Sequence, residues 1–248
     1  MNLILIEPGE IDPEGRAQLK DARAVHIRKV LGARAGQRLR IGLIDGPRGI
    51  GTVERAEESG VVLSCSVEIA RPPRPPVDLL LALPRPKILK RLLAQLAAVG
   101  VGRIMLTNAE KVERYYFDSH VLDAAFIRAR LVEGLQQAGD TRVPDVFIRR
   151  ELKPFLEDEL DALEPESVRL LAHPRAGRPP EDALRAADPR GERRVLAALG
   201  PEGGWTDYEL DMIGQHSFIP VTMGPRTLRS DTAAIALHAR IRGRMREA

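Results

Sequence analysis

The sequence predicts an α/β protein with a small β-rich domain at the N-terminus and a helix-covered parallel sheet after it. From Val77 onward, short apolar runs alternate with longer segments whose apolar residues recur at helical spacing. Before that point, strand-like runs are separated by glycine turns. Between the two lies Arg71–Pro76, where four prolines in six residues favour a stiff, extended chain. We therefore predict two domains, residues 1–72 and residues 77–248.

Composition places the chain among ordinary soluble proteins. Its 248 residues are 44% hydrophobic and 29% charged, and they can bury a sizeable core. The net charge of +3 and a pI of about 9.2 indicate nucleic acid only weakly. No apolar leader and no apolar run of about 20 residues is present, so we expect a cytoplasmic protein outside the membrane. Cys65 is the one cysteine, and the Cys and His spacing suggests no metal site.

The first domain reads as a small barrel of short strands. The predicted strands are Asn2–Ile6, Leu39–Ile44, Gly51–Val53 and Val61–Ile69. Between the first two, the apolar residues Val25, Ile27, Val30 and Leu31 suit a short helix. The stretch from Lys20 to Arg40 holds seven Lys or Arg and one Asp. Such a run is either a solvated face or a surface that grips a phosphate backbone.

The second domain alternates strands and helices. The predicted strands are Val77–Leu83, Arg103–Thr107, an edge strand Val143–Ile148, Val168–Ala172, Val195–Leu199 and Phe218–Thr222. The predicted helices are Lys87–Val99, Val121–Ala138 and Lys153–Leu163. Gly100 reads as a helix end rather than part of a dinucleotide turn. No glycine-rich turn follows the first strand, which argues against an ordinary Rossmann enzyme.

Two Gly-Pro loops, Leu199–Thr206 and Met223–Thr232, each connect a buried strand to a helix. Thr206 and Glu209 fit a capping box at the first helix start, and Ser230 is a candidate N-cap at the second. Loops of this kind place backbone N–H groups at strand ends, where open α/β sheets bind ligands. The pattern alone does not distinguish whether the two loops form a ligand site or are only turns.

The strings of these loops, Gly200-Pro-Glu-Gly-Gly204 and Met223-Gly-Pro-Arg-Thr-Leu-Arg-Ser-Asp-Thr-Ala233, resemble the ribosomal RNA small subunit methyltransferase E family of SPOUT (α/β-knot) RNA methyltransferases. The resemblance spans nearly the whole chain and is strongest from Leu170. One position departs, since Asp231 stands where the family has Glu. The resemblance implies a parallel sheet with a deep trefoil knot in residues 77–248. It also implies a PUA-like β-barrel that helps bind RNA in residues 1–72.

The same resemblance implies an enzyme that uses S-adenosylmethionine to methylate N3 of a uridine in 16S ribosomal RNA, acting as a homodimer in ribosome biogenesis. The cofactor would contact Leu171, His173, Leu199, Gly200, Pro201, Glu202, Gly203, Gly204, Met223, Gly224 and Leu228. His173 is either a pocket residue or a polar strand end. Glu202 either accepts from the ribose or orders the loop through backbone N–H groups, or else only balances the helix dipole.

The catalytic residues that the resemblance implies are Asp231, Arg229 and Arg226. Asp231 would act as the base for the N3 proton, or else only begin a helix. The arginines would bind RNA, the base or the cofactor, or else lie on the surface. The predicted RNA-binding residues are His26, Arg28, Lys29 and Arg142. Tyr115, Tyr116 and Phe117 either stack on a base or belong to the core or a dimer interface.

Two other functions fit the same residues. The fold could serve a different RNA nucleotide, or the protein could be an RNA-binding module without catalysis, as the Glu-to-Asp departure suggests. The intact Gly200–Gly204 loop favours an enzyme.

Overall fold

The structure is a computed structural model that describes residues 3–246. It divides into two compact units. Unit 1 comprises Met1–Arg74 and Val132–Val143, and unit 2 comprises Pro75–Leu131 and Pro144–Ala248. The first division lies within the proline-rich segment. Residues 132–143 group with unit 1, although the predicted domain boundaries place them in the second domain.

Unit 1 contains a five-stranded sheet of order β1-β3-β4-β5-β2. Its strands are β1 (Ile4–Ile6), β2 (Arg16–Leu19), β3 (Arg38–Leu43), β4 (Arg48–Glu57) and β5 (Gly60–Val67). β1 runs parallel to β3, and the other neighbouring strands are antiparallel. β2 was not predicted because its four residues carry only two apolar side chains. Asn2, the first residue of the predicted first strand, lies outside the described residues.

The predicted helix of unit 1 is shorter than expected. It consists of α1 (Ala22–Val25) and a wide, π-type turn over His26–Val30. Ala24 and Ile27 are buried in the core of the unit. Of the four apolar residues that indicated this helix, only Ile27 is buried. The exposed apolar residues are Val25, Val30 and Leu31.

The segment 132–143 joins unit 1 through specific backbone contacts. The Leu3 N–H donates to the Gln136 carbonyl at 3.1 Å, and the Thr141 hydroxyl donates to the Gly46 carbonyl at 2.6 Å. A Cβ at Gly42 would lie 2.5 Å from Thr141 Cγ2. Glycine at this position therefore lets the segment pack against β3.

Unit 2 contains a six-stranded parallel sheet of order β11-β9-β10-β6-β7-β8. Its strands are β6 (Val77–Ala82), β7 (Val101–Thr107), β8 (Asp145–Arg149), β9 (Val168–Ala172), β10 (Val195–Leu199) and β11 (Ile219–Val221). The parallel α/β sheet is confirmed, and β8 lies at one edge as predicted. Every residue of β6 and β10 is buried, as expected for central strands covered on both faces.

The helices of the rest of the chain follow the predicted order with some shifts. They are α2 (Pro86–Val99), α3 (Ala124–Ala138), α4 (Leu152–Pro154), α5 (Leu160–Leu163), α6 (Pro180–Ala187), α7 (Asp207–Gln215) and α8 (Ser230–Arg242). Residues of α3 from Val132 onward belong to unit 1. α6 was not predicted, and α3 begins three residues later than expected because short 3₁₀ turns precede it. A wide turn over Phe155–Glu159 separates α4 from α5.

The helix caps give one confirmation and one correction. Thr206 and Glu209 form the predicted capping box of α7. The prediction that Ser230 caps α8 is wrong, since Arg229 occupies the N-cap and Ser230 is already helical. The Asp231 carboxylate accepts the Thr232 N–H at 2.9 Å instead, so a neighbouring side chain supplies the acceptor. No helix within residues 3–246 is long and apolar enough to cross a membrane.

Candidate functional site

A cavity of about 530 Å³ lies at the carboxyl ends of β9, β10 and β11. Both Gly-Pro loops line it, the first after β10 and the second after β11. Its volume falls within the range of small-molecule and cofactor sites. The parallel arrangement brings these strand ends to one edge of the sheet, where open α/β sheets bind ligands.

Most of the residues predicted to bind a cofactor line this cavity. Those residues are His173, Leu199, Gly200, Pro201, Glu202, Gly203, Gly204, Met223, Gly224 and Leu228. Leu171 lies outside the lining and is 2% exposed within β9. Ala172, one position further along the strand, lines the cavity instead, because successive strand side chains alternate between faces.

The first loop is held in shape from its C-terminal side. The Thr206 N–H donates to Glu209 Oε2 at 2.7 Å, and the Glu209 N–H donates to the Thr206 hydroxyl at 3.3 Å. Gly204 has a φ of 72°, a left-handed conformation that favours glycine. A Cβ at Gly200 would lie 3.0 Å from the buried Trp205 indole. The loop therefore needs glycine where its backbone turns and where it meets the indole.

Lys111 is a cavity residue that sequence reasoning missed. Its Nζ donates to the Gly203 carbonyl at 2.9 Å, and its aliphatic chain passes beside Gly203. The available signal was its place four residues after β7, whose carboxyl end lies at the same edge of the sheet. Lys111 thus fixes the glycine loop and brings a positive charge to the cavity.

The second loop is anchored by α6 and α8. The Gly224 N–H donates to the Thr222 hydroxyl at 3.2 Å, and Gly224 has a φ of 107°. Arg240 of α8 pairs with Glu181 of α6 at 2.5 Å and also donates to the Thr222 carbonyl at 3.4 Å. These contacts hold the neighbouring Met223 at the cavity wall.

His173 forms part of the cavity as a neutral imidazole. Its backbone N–H donates to the Val221 carbonyl at 2.9 Å, which continues the pairing of β9 with β11. Its Nδ1 accepts the Arg175 N–H at 3.3 Å. Burial, and then the charge of Arg175, lower the pKa of His173 below its usual value. At neutral pH the ring therefore offers no positive charge to a ligand.

Of the predicted catalytic residues, Arg226 and Arg229 line the cavity and Asp231 does not. The Asp231 side chain is 10% exposed. Arg91 of α2 donates to its Oδ2 at 2.5 Å, and Arg229 Nε lies 3.7 Å from its Oδ1. Burial by itself raises the pKa of Asp231, but the Arg91 hydrogen bond, the Thr232 N–H and the two arginine charges bring it below its usual value. The carboxylate is therefore ionised and weakly basic.

The predicted RNA-binding residues lie in unit 1. His26, Arg28 and Lys29 occupy the wide turn after α1, where Lys29 is exposed. Arg142 is 9% exposed, and its Nη1 lies 3.3 Å from Asp45 Oδ1. The guanidinium of Arg142 is therefore engaged within unit 1, and its predicted RNA contact would require that pair to open.

The aromatic residues Tyr115, Tyr116 and Phe117 were predicted either to stack on a base or to be buried, and the structure shows both environments. Tyr115 is 65% exposed, whereas Tyr116 and Phe117 are buried. The Tyr115 ring meets the Tyr116 ring edge-on, with centroids 4.8 Å apart. Tyr116 and Phe117 thus belong to the core, and only Tyr115 is accessible for stacking.

The chemistry of the cavity suits a nucleoside-type ligand. Leu199, Met223 and Leu228 supply apolar walls for a flat ring, and the glycine loops expose backbone to a bound molecule. Positive charge comes from Lys111 and from three arginines, Arg175, Arg226 and Arg229. Fold and cavity together define an α/β protein with a cavity suited to a nucleoside-type cofactor at the edge of a parallel sheet.

Comparison with known proteins identifies the family. Residues 71–242 match the model of the RNA methyltransferase domain. The chain is 31% identical to the ribosomal RNA small subunit methyltransferase E of Treponema pallidum, over 95% of this chain and 88% of the relative. It is 25% identical to a Borreliella burgdorferi protein of the same name, numbered 1, over 95% of each chain. The chain therefore belongs to the ribosomal RNA small subunit methyltransferase E family.

Solved structures have the same fold. The Neisseria gonorrhoeae ribosomal RNA small subunit methyltransferase E bound to S-adenosyl methionine matches with a TM-score of 0.79 at 19% identity, covering 99% of this chain and 98% of that one. A putative methyltransferase from Legionella pneumophila in complex with the cofactor SAM matches with a TM-score of 0.76 at 22% identity, covering 98% and 97%.

Proposed function

We propose that the protein methylates N3 of a uridine in 16S ribosomal RNA, with S-adenosylmethionine as the methyl donor. The observation that carries the proposal is the cavity at the carboxyl ends of β9, β10 and β11, lined by both Gly-Pro loops in a chain of this family. When bound, the cofactor supplies a methyl group on a positively charged sulfur. The small ribosomal subunit or its RNA is the proposed partner.

The residues of the cavity divide into those that would bind the cofactor and those that would face the RNA. Leu199, Met223 and Leu228 would hold the adenine, and the Gly200–Gly204 backbone would lie along the ribose and the amino-acid part. Arg226 and Arg229 line the same cavity and are the cationic groups proposed to face the uridine.

Uridine N3 must lose its proton before it attacks a methyl group, because the neutral nitrogen is a poor nucleophile. The negative charge that develops on the base would be stabilised by Arg226 and Arg229. Asp231, predicted as the base, lies next to Arg229 and is ionised, so it takes part either as proton acceptor or by positioning the arginine.

Three broader features belong to the same proposal. The strand order, in which β10 is inserted between β6 and β9 and α8 packs against both β6 and β10, supports a trefoil knot in residues 77–248. The five-stranded sheet of unit 1 supports a PUA-like domain in residues 1–72 that binds RNA through His26, Arg28 and Lys29. A homodimer in the cytoplasm completes the proposal on the basis of the family.

Nucleoside mass spectrometry tests the function directly. Purified protein and S-adenosylmethionine would be incubated with 16S ribosomal RNA and, in parallel, with small subunits, both from cells that lack this gene. We expect one new 3-methyluridine. Methylation at another nucleotide would support the alternative RNA target, and cofactor binding without methyl transfer to either substrate would contradict the enzyme.

A further inference from the structure

We infer that Arg91 of α2 is a further residue of this site and that Asp231, held by Arg91, positions Arg229 rather than accepting the N3 proton. The inference rests on the proposed function. It follows from the contacts of the Asp231 carboxylate, from the course of the cavity lining, and from the packing of α2 against α8.

Both oxygens of the Asp231 carboxylate are already engaged. Arg91 Nη2 donates to Oδ2 at 2.5 Å. The Thr232 N–H donates to Oδ1 at 2.9 Å, and Arg229 Nε lies 3.7 Å from the same oxygen. A carboxylate that accepts charge-assisted hydrogen bonds in this way holds protons weakly. To accept the N3 proton, it would have to release one of these partners.

Asp231 is not among the residues that line the cavity, although nearby residues are. The lining includes Arg229 and Ser230 and resumes at Ala233, while the Asp231 side chain is 10% exposed. Arg229, in contrast, has a side chain 69% exposed at the cavity. The residue beside the proposed substrate is therefore the arginine, and Asp231 acts through it.

Arg91 connects the Asp231 carboxylate to α2. α2 packs against α8, and the ion pair of Arg91 with Asp231 joins the first turn of α8 to α2. Asp231 is thereby ordered next to Arg229 at the start of α8, where the second loop ends. Loss of either partner would release the carboxylate and alter the position of Arg229 in the cavity.

The proton then leaves to solvent. The N3–H bond breaks, its electron pair stays on the uridine ring and the proton passes to water. Arg226 and Arg229 stabilise the resulting anion. The N3 electron pair forms the bond to the methyl carbon, and the electrons of the broken carbon–sulfur bond stay on sulfur, which becomes a neutral thioether. No protein group changes its protonation state in this sequence.

The pH dependence of the wild-type reaction separates the two roles. Asp231 is ionised throughout pH 6–8.5, so as a general base it would give a single-turnover methylation rate that does not change with pH. Loss of the proton to solvent instead gives a rate that rises about tenfold per pH unit, until the uridine itself is ionised. We expect the rising profile with saturating small-subunit substrate and S-adenosylmethionine.

Variants identify the positioning role. Arg91→Met and Asp231→Asn should each slow single-turnover methylation by about tenfold to a hundredfold, keep the rising pH profile and leave cofactor affinity unchanged. The double variant should be no slower than the slower single variant, and Arg91→Lys should recover part of the rate. Lys90→Met, an exposed neighbour on α2, is the matched control and should behave as wild type.

The outcomes are distinct. A flat wild-type profile, or an Arg91→Met rate equal to wild type in a folded protein, overturns the inference while the enzyme still methylates uridine N3. If wild-type protein makes no 3-methyluridine, the proposed function itself fails. Melting temperatures of all variants establish that each rate belongs to folded protein.

Discussion

Substitution of Gly203 by valine tests how Lys111 and the first glycine loop shape the cofactor cavity. A Cβ at this position would lie 2.9 Å from Lys111 Cδ and 3.2 Å from Lys111 Cβ. The φ of Gly203 is not among the positive values of the chain, so valine can adopt the backbone conformation. We therefore expect the lysine side chain, which is exposed and flexible, to move away while the fold remains.

The expected loss of cofactor affinity follows from the contact that displacement of the Lys111 side chain removes. Lys111 Nζ would lose its 2.9 Å hydrogen bond to the Gly203 carbonyl, an exposed contact worth about 1 kcal/mol after solvent screening. Because binding must then also order the released loop, and 1.4 kcal/mol corresponds to a tenfold change in affinity, we expect at least about fivefold weaker S-adenosylmethionine binding. The two added methyl groups at the cavity wall can only increase this loss.

Isothermal titration calorimetry with S-adenosylmethionine measures the effect. Gly177→Val is the matched control, because no heavy atom lies within 4 Å of a Cβ there and the residue is outside the cavity lining. In a Lys111→Ala background, Gly203→Val should cost less than in wild type, because most of the side chain it displaces is already absent. Wild-type affinity in folded Gly203→Val, or full additivity in the double variant, would refute this reasoning.

Three further predictions concern other parts of the chain. Arg28→Ala combined with Lys29→Ala should lower the slope of log RNA affinity against log salt by about two units without changing cofactor affinity; an unchanged slope would remove both from the RNA surface. Burial raises the pKa of Asp78 to about 7, so the free energy of unfolding should fall as the pH rises from about 4 to 7, and Asp78→Asn should flatten that curve in urea titrations; an equally steep curve in the variant would be contrary evidence. Thr206→Ala should lower the free energy of unfolding by about 1 kcal/mol through loss of the α7 cap, whereas Thr206→Ser should stay near wild type; equal stability of all three would contradict the cap.

The surroundings of Asp78 explain why the free energy of unfolding should fall, rather than rise, with increasing pH. The Asp78 side chain is fully buried, and burial, followed by the neighbouring Glu164, raises its pKa against the opposing hydrogen bonds from Arg194. The folded protein therefore binds this proton more tightly than the unfolded chain does. The stabilisation is complete below the unfolded pKa of about 3.9 and is lost as the pH passes the folded value.

Local patterns were enough to predict the central strands and one helix start. Val168–Ala172 and Val195–Leu199 have the predicted bounds because apolar runs, broken only by Arg169 in the first, fit strands buried on both faces. The α7 capping box also follows from two residues three positions apart. β2 and α6 were missed because neither has a long enough apolar pattern to be distinguished from loop.

By itself, the sequence determined the α/β class and the two Gly-Pro loops at the strand ends. These depend on residue spacing and on the conformations that glycine and proline allow, which are local properties. Only the tertiary structure decided that Lys111 supports the first loop and that Arg91 holds Asp231. Each contact joins residues 92 or 140 positions apart, and packing of α2 against α8 places the second pair. Sequence spacing carries no information about such distances, because they arise when strands and helices assemble.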